Sequence, residues 1–258
     1  MLDFDAVFNN TVVGIAGPVE DLRLLSRAEA YLNSSLSRYY QLLTCSTWGV
    51  ERSVIEENEI LSMPFAYPSD DELYSIVETI REAPNELESR RNDLDKAVFE
   101  AFDISDIERD LINDTLWQFD KRTETLLTIE PDSTAVGDYA VTLSQTIAPV
   151  QESVMVDVKR VRGLLHYLVV TVNFDDASSE EASAAESVRQ LLSASFDEAV
   201  SSGNSPVTFI QPSVIVLRDR AAYLLKPDQA RGWTRSQARE DAGRILGAVV
   251  SLAREQIL

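Results

Sequence analysis

The sequence predicts an α+β protein: a helix-rich N-terminal part that opens with one strand, followed by a small antiparallel sheet with helices. Three observations predict this class. Apolar residues recur at helical spacing in successive blocks from Val19 to about Glu130. Two β-branched runs, "SVMVDVKRV" and "LLHYLVVTVNF", read as a hairpin around Gly163. Pro131-Asp132 lies between the two regimes and reads as a boundary, giving domains over 1–130 and 131–258.

The elements follow in order. "AVFNNTVVGIAGP" is β-branched and stops at Gly17-Pro18, as a strand entering a turn does. Between Val19 and Leu43 the residues Leu22, Leu25, Ala28, Leu32, Leu36, Tyr39, Tyr40 and Leu43 predict a helix with Asn33-Ser34-Ser35 in its middle. It leaves through the turn Trp48-Gly49-Val50-Glu51-Arg52. "SVIEENEILSM" is a short helix with Ser53 as N-cap and Glu56 completing a capping box, and "PFAYP" breaks it. Ser69 begins "SDDELYSIVETIREA", with acids in the first turn where the helix dipole favours them. "ELESRRNDLDKAVFEAF" and "SDIERDLINDTLWQFDKRTETLL" are two further helices joined near Asp103 to Ser105.

Beyond Pro131 the sequence predicts a short helix, "AVGDYAVTLSQTIA", and then the hairpin. "SSEEASAAESVRQLLSASFDEAV" is a helix with an acidic cap. "PVTFIQPSVIVLRDRAAYLLKP" holds two or three strands turning at Arg218-Asp219-Arg220, and "SQAREDAGRILGAVVSLAREQIL" is a closing helix.

At 258 residues and 45% hydrophobic composition the chain can bury a core and is not of a disordered class. No apolar run is long enough to span a bilayer, and "MLDFDAVFNN" lacks the pattern of a signal peptide. The single cysteine, Cys45, excludes an internal disulfide and a multi-cysteine metal site, and a reducing cytoplasm is the expected compartment.

Forty-three acids against 23 basic residues give a net charge of -20, and lysine occurs only at Lys96, Lys121, Lys159 and Lys226. Acids spread along the whole chain, with arginine supplying nearly all positive charge, resemble the surfaces of proteins from salt-loving archaea. Such a charge ordinarily argues against nucleic acid. At about 1 M salt, however, the Debye length is only ~3 Å, and binding then rests on short-range contacts by a few arginines and aromatics.

Four segments together resemble the region after the catalytic domain in large N6-adenine DNA methyltransferases of restriction-modification type. "YLNSSLSRYYQLLTCSTWGVER" is similar to a leucine-rich helix with Leu-Asn-Ser, paired aromatics and a Trp-Gly-x-Glu-Arg-like turn. "EILSMPFAYP" resembles the stretch ending in Leu-Pro-Phe. "DLDKAVFEAFDISDIERDLINDTL" is similar to the Leu-x-x-x-Val-Tyr-x-x-Tyr-Gly-Leu-x-x-x-Glu region, with Phe99 and Phe102 for the tyrosines and Asp103 for the glycine. "AYLLKPDQARGWTRSQAREDAGRIL" resembles the C-terminal Lys-Pro…Trp-Thr-Arg-Ser…Ala-Asp segment. The four stand in family order.

The family's Asn/Asp-Pro-Pro-Tyr/Phe loop, which holds the flipped adenine, has no counterpart, because Pro-Pro never occurs in this sequence. Nor is there the glycine-bearing turn for S-adenosylmethionine. The resemblance therefore implies a non-catalytic DNA-recognition component. Its expected partners are DNA and a separate methyltransferase polypeptide, no membrane, and S-adenosylmethionine is expected only on that polypeptide.

Target bases must be found before one is flipped out, and base edges are read by arginine on guanine and by amides on adenine. Trp48 and Arg52, hinged at Gly49, could supply a stacking surface and a guanine reader; equally, Trp48 could pack on its helix and Arg52 pair with Glu56. Asn33 and Ser34 are expected to hold that turn in place by local hydrogen bonds. Arg38 is a further candidate DNA contact. Arg231, Arg235 and Arg239, spaced four apart, form a column on any helix, for phosphates or for salt bridges with Asp228, Glu240 and Asp241. His166, the single histidine, lies in an apolar strand and reads as structural. One enzymatic alternative exists: Pro131-Asp132 with Asp157-Val158-Lys159 matches the short Pro-Asp…Asp/Glu-x-Lys pattern of Mg²⁺-dependent nucleases, with Asp132 and Asp157 on the metal and Lys159 on the hydroxide. A third reading is an assembly module that binds protein only.

Overall fold

The computed structural model describes residues 15, 17–45, 55–65, 72–82, 87–121, 130–151, 153–160, 167–174, 214–218 and 221–255. Among them are eight α-helices and four antiparallel strands, an α+β arrangement. The expected N-terminal strand, the acidic-capped helix after Asp175 and His166 lie outside the described residues. The chain divides into two units, Met1–Phe119 and Asp120–Leu258, and the division falls within the helix expected from "SDIERDLINDTLWQFDKRTETLL".

The first unit is helical. A 3-10 turn, Val19–Asp21, leads into α1 (Leu22–Leu32), followed by α2 (Ser35–Thr44), α3 (Glu57–Leu61), α4 (Glu72–Glu82), α5 (Leu87–Ala101) and α6 (Asp106–Asp120). Its core gathers Ala30, Tyr31, Met63, Leu73, Val77, Leu94, Ala97 and Val98 from α1, the end of α3, α4 and α5.

The helix expected over Val19–Leu43 is two helices, broken at Asn33-Ser34. The break is made by side chains that compete with the helical ladder. Asn33 Nδ2 donates to the Glu29 carbonyl at 2.8 Å, and the Ser34 hydroxyl donates to the Tyr31 carbonyl at 2.6 Å. Ser34 Oγ also accepts from the Ser37 N–H at 3.2 Å, which makes Ser34 the N-cap of α2. The next orphan amide, on Ser35, donates to Asp95 of α5 at 2.6 Å, and the Ser35 hydroxyl donates to the other Asp95 oxygen at 2.5 Å. A carboxylate sixty positions away thus completes a local cap.

One further boundary differs from expectation. The capping box of α3 has Glu56 as N-cap, with Glu59 accepting from the Glu56 N–H at 2.9 Å; Glu56 is not the third helical residue behind Ser53, which lies outside the described residues. The carboxylate nearest the first orphan amide does the capping, and that places the start three residues later.

The α5–α6 connection turns at Asp103. Asp103 has φ 53, in the left-handed region that glycine favours. The Ile104 N–H donates to the Phe99 carbonyl at 2.9 Å and the Asp103 N–H to that of Glu100 at 3.1 Å, the paired bonds of a Schellman ending. Ile104 packs back on Phe99, as that motif requires. We expect Asp103→Gly to raise stability by about 0.5–1 kcal/mol in urea unfolding, since it relieves the Cβ clash at some entropic cost. A loss of stability would mean that the Asp103 side chain more than offsets the backbone strain.

The second unit starts with α7 (Ser133–Ile147) and continues with β1 (Met155–Lys159), β2 (Tyr167–Asn173), β3 (Val214–Arg218) and β4 (Ala221–Pro227). A 3-10 turn, Ala230–Gly232, leads into α8 (Arg235–Glu255). The sheet order is β1-β2-β4-β3, antiparallel throughout. Val156 stands opposite Val172, which stands opposite Ala222; Val158, Val170 and Leu224 repeat the pattern two residues on. This face packs with Tyr139, Leu143 and Ile147 of α7 and Ala238, Ala242 and Ile245 of α8. The β1–β2 pairing closes around the expected hairpin position, with Lys159 opposite Val169.

Candidate nucleic-acid interface

Three of the four family-like segments meet at one side chain. Tyr31, 4% exposed, stacks on Phe102 with ring centroids 5.0 Å apart and meets the edge of Phe65 at 6.1 Å. Tyr31 opens the leucine-rich segment, Phe65 ends the Met-Pro-Phe stretch, and Phe102 belongs to the third segment. Burial, with Tyr40 adding to it, pushes the Tyr31 phenol up to about 12.

From this junction α2 runs to Cys45, its C-cap, and the next described residue is Ile55. Trp48, Gly49 and Arg52 therefore lie outside the described residues. Their flanks are fixed: Cys45 sits beside Glu59 of α3, and burial followed by the Glu59 carboxylate raises its thiol. Asn33 and Ser34 end α1 and cap α2 through their bonds, and so set the junction between the two helices. Arg38 is half-buried on α2.

In the second unit the arginine column is interrupted. Arg231 is exposed on the 3-10 turn, and only Arg235 and Arg239 belong to α8. Arg235 Nη2 reaches Asp138 of α7 at 2.9 Å. Two of the acids expected to pair with the column have other company. Asp228 holds Arg160 Nη1 at 2.8 Å, and that guanidinium also reaches Glu130 at 3.5 Å.

The other is Asp241, which is fully buried and joins three elements. One oxygen accepts from Lys226 Nζ of β4 and, at 2.8 Å, from the Tyr139 hydroxyl of α7; the other meets Arg244 Nη1 at 3.2 Å. The Lys226 ammonium lies 4.5 Å from the centroid of the Tyr139 ring and 5.6 Å from that of Trp233. The Trp233 indole donates to the Pro227 carbonyl at 2.9 Å. Burial lowers the Lys226 amine in spite of Asp241, and burial followed by Asp241 pushes the Tyr139 phenol far above its usual range. Lys226, Pro227, Trp233 and Asp241 all belong to the fourth family-like segment. With Asp241 closed to solvent, the cluster clamps α8 to the sheet and to α7. Sequence reasoning misses it: Lys226 at the end of the apolar run "AAYLL" is a signal, but Asp241 follows Arg239 and Glu240 and reads as a surface acid.

The residues of the nuclease pattern are otherwise occupied. Asp132 Oδ1 accepts from the Ala135 N–H at 2.7 Å and caps α7, while Asp157 pairs with Lys159 at 3.0 Å along β1. Among the described residues no three His, Cys, Asp or Glu side chains are gathered as a metal ion would need. No helix among them is long and apolar enough to cross a membrane. In comparisons with known proteins, no family model, curated protein or solved structure matches the chain.

Proposed function

We propose that this protein is a DNA-recognition component of an N6-adenine methyltransferase system, acting with a separate catalytic polypeptide that carries S-adenosylmethionine. The observation that carries the reading is the convergence at Tyr31: segments that resemble the family far apart in sequence supply aromatic rings to one cluster. Asp103 adds to it, because the family's glycine position coincides with a left-handed backbone. Both support the reading.

In this reading Trp48 and Arg52, which lie between α2 and α3 in the sequence, read DNA. Paired Trp48→Ala and Arg52→Ala substitutions should abolish affinity for the target duplex at fixed salt while melting is unchanged. Co-purification with a methyltransferase, and loss of adenine methylation when the gene is deleted, test the system-level claim; intact methylation in the deletion strain would overturn it.

The assembly reading is favoured by one observation, the exposed Ile107, Leu111 and Trp117 on α6. Under it the Trp48 and Arg52 substitutions leave every binding property intact. The nuclease reading has its own test, Mg²⁺-dependent cleavage that vanishes in Asp157→Ala.

A further inference from the structure

We propose that the end of the second unit where β1 and β4 finish and α8 begins is a contact surface for duplex phosphates, with Arg160, Arg231 and Arg235 as its cations. The proposal rests on the DNA-recognition reading and extends it to residues remote in sequence from Trp48 and Arg52.

Sheet topology makes the surface. β1 and β4 are each antiparallel to β2, so they run in the same direction and end on the same side. Arg160 follows β1 directly, and Asp228 follows β4. The 2.8 Å bond between them ties the two strand ends together. The 3-10 turn bearing Arg231 comes next, and its position is fixed by Trp233, which is buried and bonded to Pro227. Arg235 is the first residue of α8, and its bond to Asp138 sets it toward α7. A strand end, a turn and a helix start thus deliver three guanidiniums that lie 71 and 4 positions apart in the sequence.

Their existing bonds suit exchange with phosphate. The side chains of Arg160 and Arg235 are each 50% exposed, and Glu130 and Asp138 are exposed acids, so these pairs contribute little and reopen readily. Asp228 differs: at 6% exposure it is a buried anchor that aims Arg160 outward without occupying all its donors. Guanidinium is the group suited to bidentate phosphate contact. Among the described residues, Glu130, Asp138 and Asp228 are the carboxylates bonded to Arg160 and Arg235, and a phosphate would take the place of the two exposed ones.

The test is the salt dependence of binding to a labelled duplex of arbitrary sequence, measured by anisotropy over a series of KCl concentrations. Each of Arg160→Ala, Arg231→Ala and Arg235→Ala should flatten the slope of log K against log salt by about 0.9, and the triple variant by the sum. Arg231→Lys should restore the slope. Arg231 stands on an exposed turn, so its variants remain informative if Arg160→Ala disturbs the fold through Asp228. A triple variant with unchanged slope and affinity overturns this surface and leaves the Trp48–Arg52 reading standing. Failure of the unaltered protein to bind duplex at any salt, alone or with its catalytic partner, overturns both.

Discussion

Asp241→Ala should cost about 3–5 kcal/mol in urea unfolding, the largest loss expected from any single polar residue here. The substitution leaves the Lys226 ammonium buried among Tyr139 and Trp233 without its counter-charge, and removes the acceptor of the Tyr139 hydroxyl. The penalty comes from stranding a charge. Hence Lys226→Met combined with Asp241→Leu should recover most of the loss, because both charges then leave the interior together. A double variant no more stable than Asp241→Ala alone would show that hydrogen bonds to Tyr139 and Arg244, and not the charge pair, are what the cluster contributes.

The same cluster sets a pH profile. The Lys226 amine is lowered from 10.5, so as pH rises toward that value the folded protein sheds this proton before the unfolded chain does, and stability increases. The Tyr139 and Tyr31 phenols are raised from 10.0, so above that pH the unfolded chain ionises first and stability falls. Maximum alkaline-side stability should therefore lie just below pH 10. The rise on its acid side should disappear in Lys226→Met.

Tyr31→Ala should cost about 3–5 kcal/mol, since it removes a buried ring that two other rings pack against and leaves a cavity between α1, α3 and α5. Tyr31→Phe keeps the ring contacts and should cost little at neutral pH, while diminishing the loss of stability between pH 10 and about 12. If Tyr31→Ala were nearly neutral, the aromatic junction would be incidental to the fold, and the main support for the proposed function would go with it.

Several elements are legible in sequence because short-range chemistry decides them. Helical spacing places α4, α5, α6 and α8, and alternating β-branched residues mark β1 and β2. β4 is harder to classify from periodicity because it is buried along almost its whole length, so "AAYLL" reads as an unbroken apolar run. The Val19–Leu43 block reads as one helix because its apolar spacing continues across the break. Asn33 and Ser34 open that break, but Asp95 of α5 completes it, and a carboxylate from another helix leaves no local trace. The candidate contacts divide the same way: Arg231 and Arg235 are visible as basic residues near a tryptophan, whereas Arg160 joins them only through Asp228.

The sequence by itself determined the α+β class and the acidic, arginine-rich composition, since composition and periodicity are properties of neighbouring residues. Only the tertiary structure decided that Tyr31, Phe65 and Phe102 share one cluster, that Asp241 is an interior clamp, and that Arg160 is bonded to Asp228 at the end of β4. Each of these depends on which strand or helix end lies against which, and burial energy across the whole unit settles that where local spacing cannot.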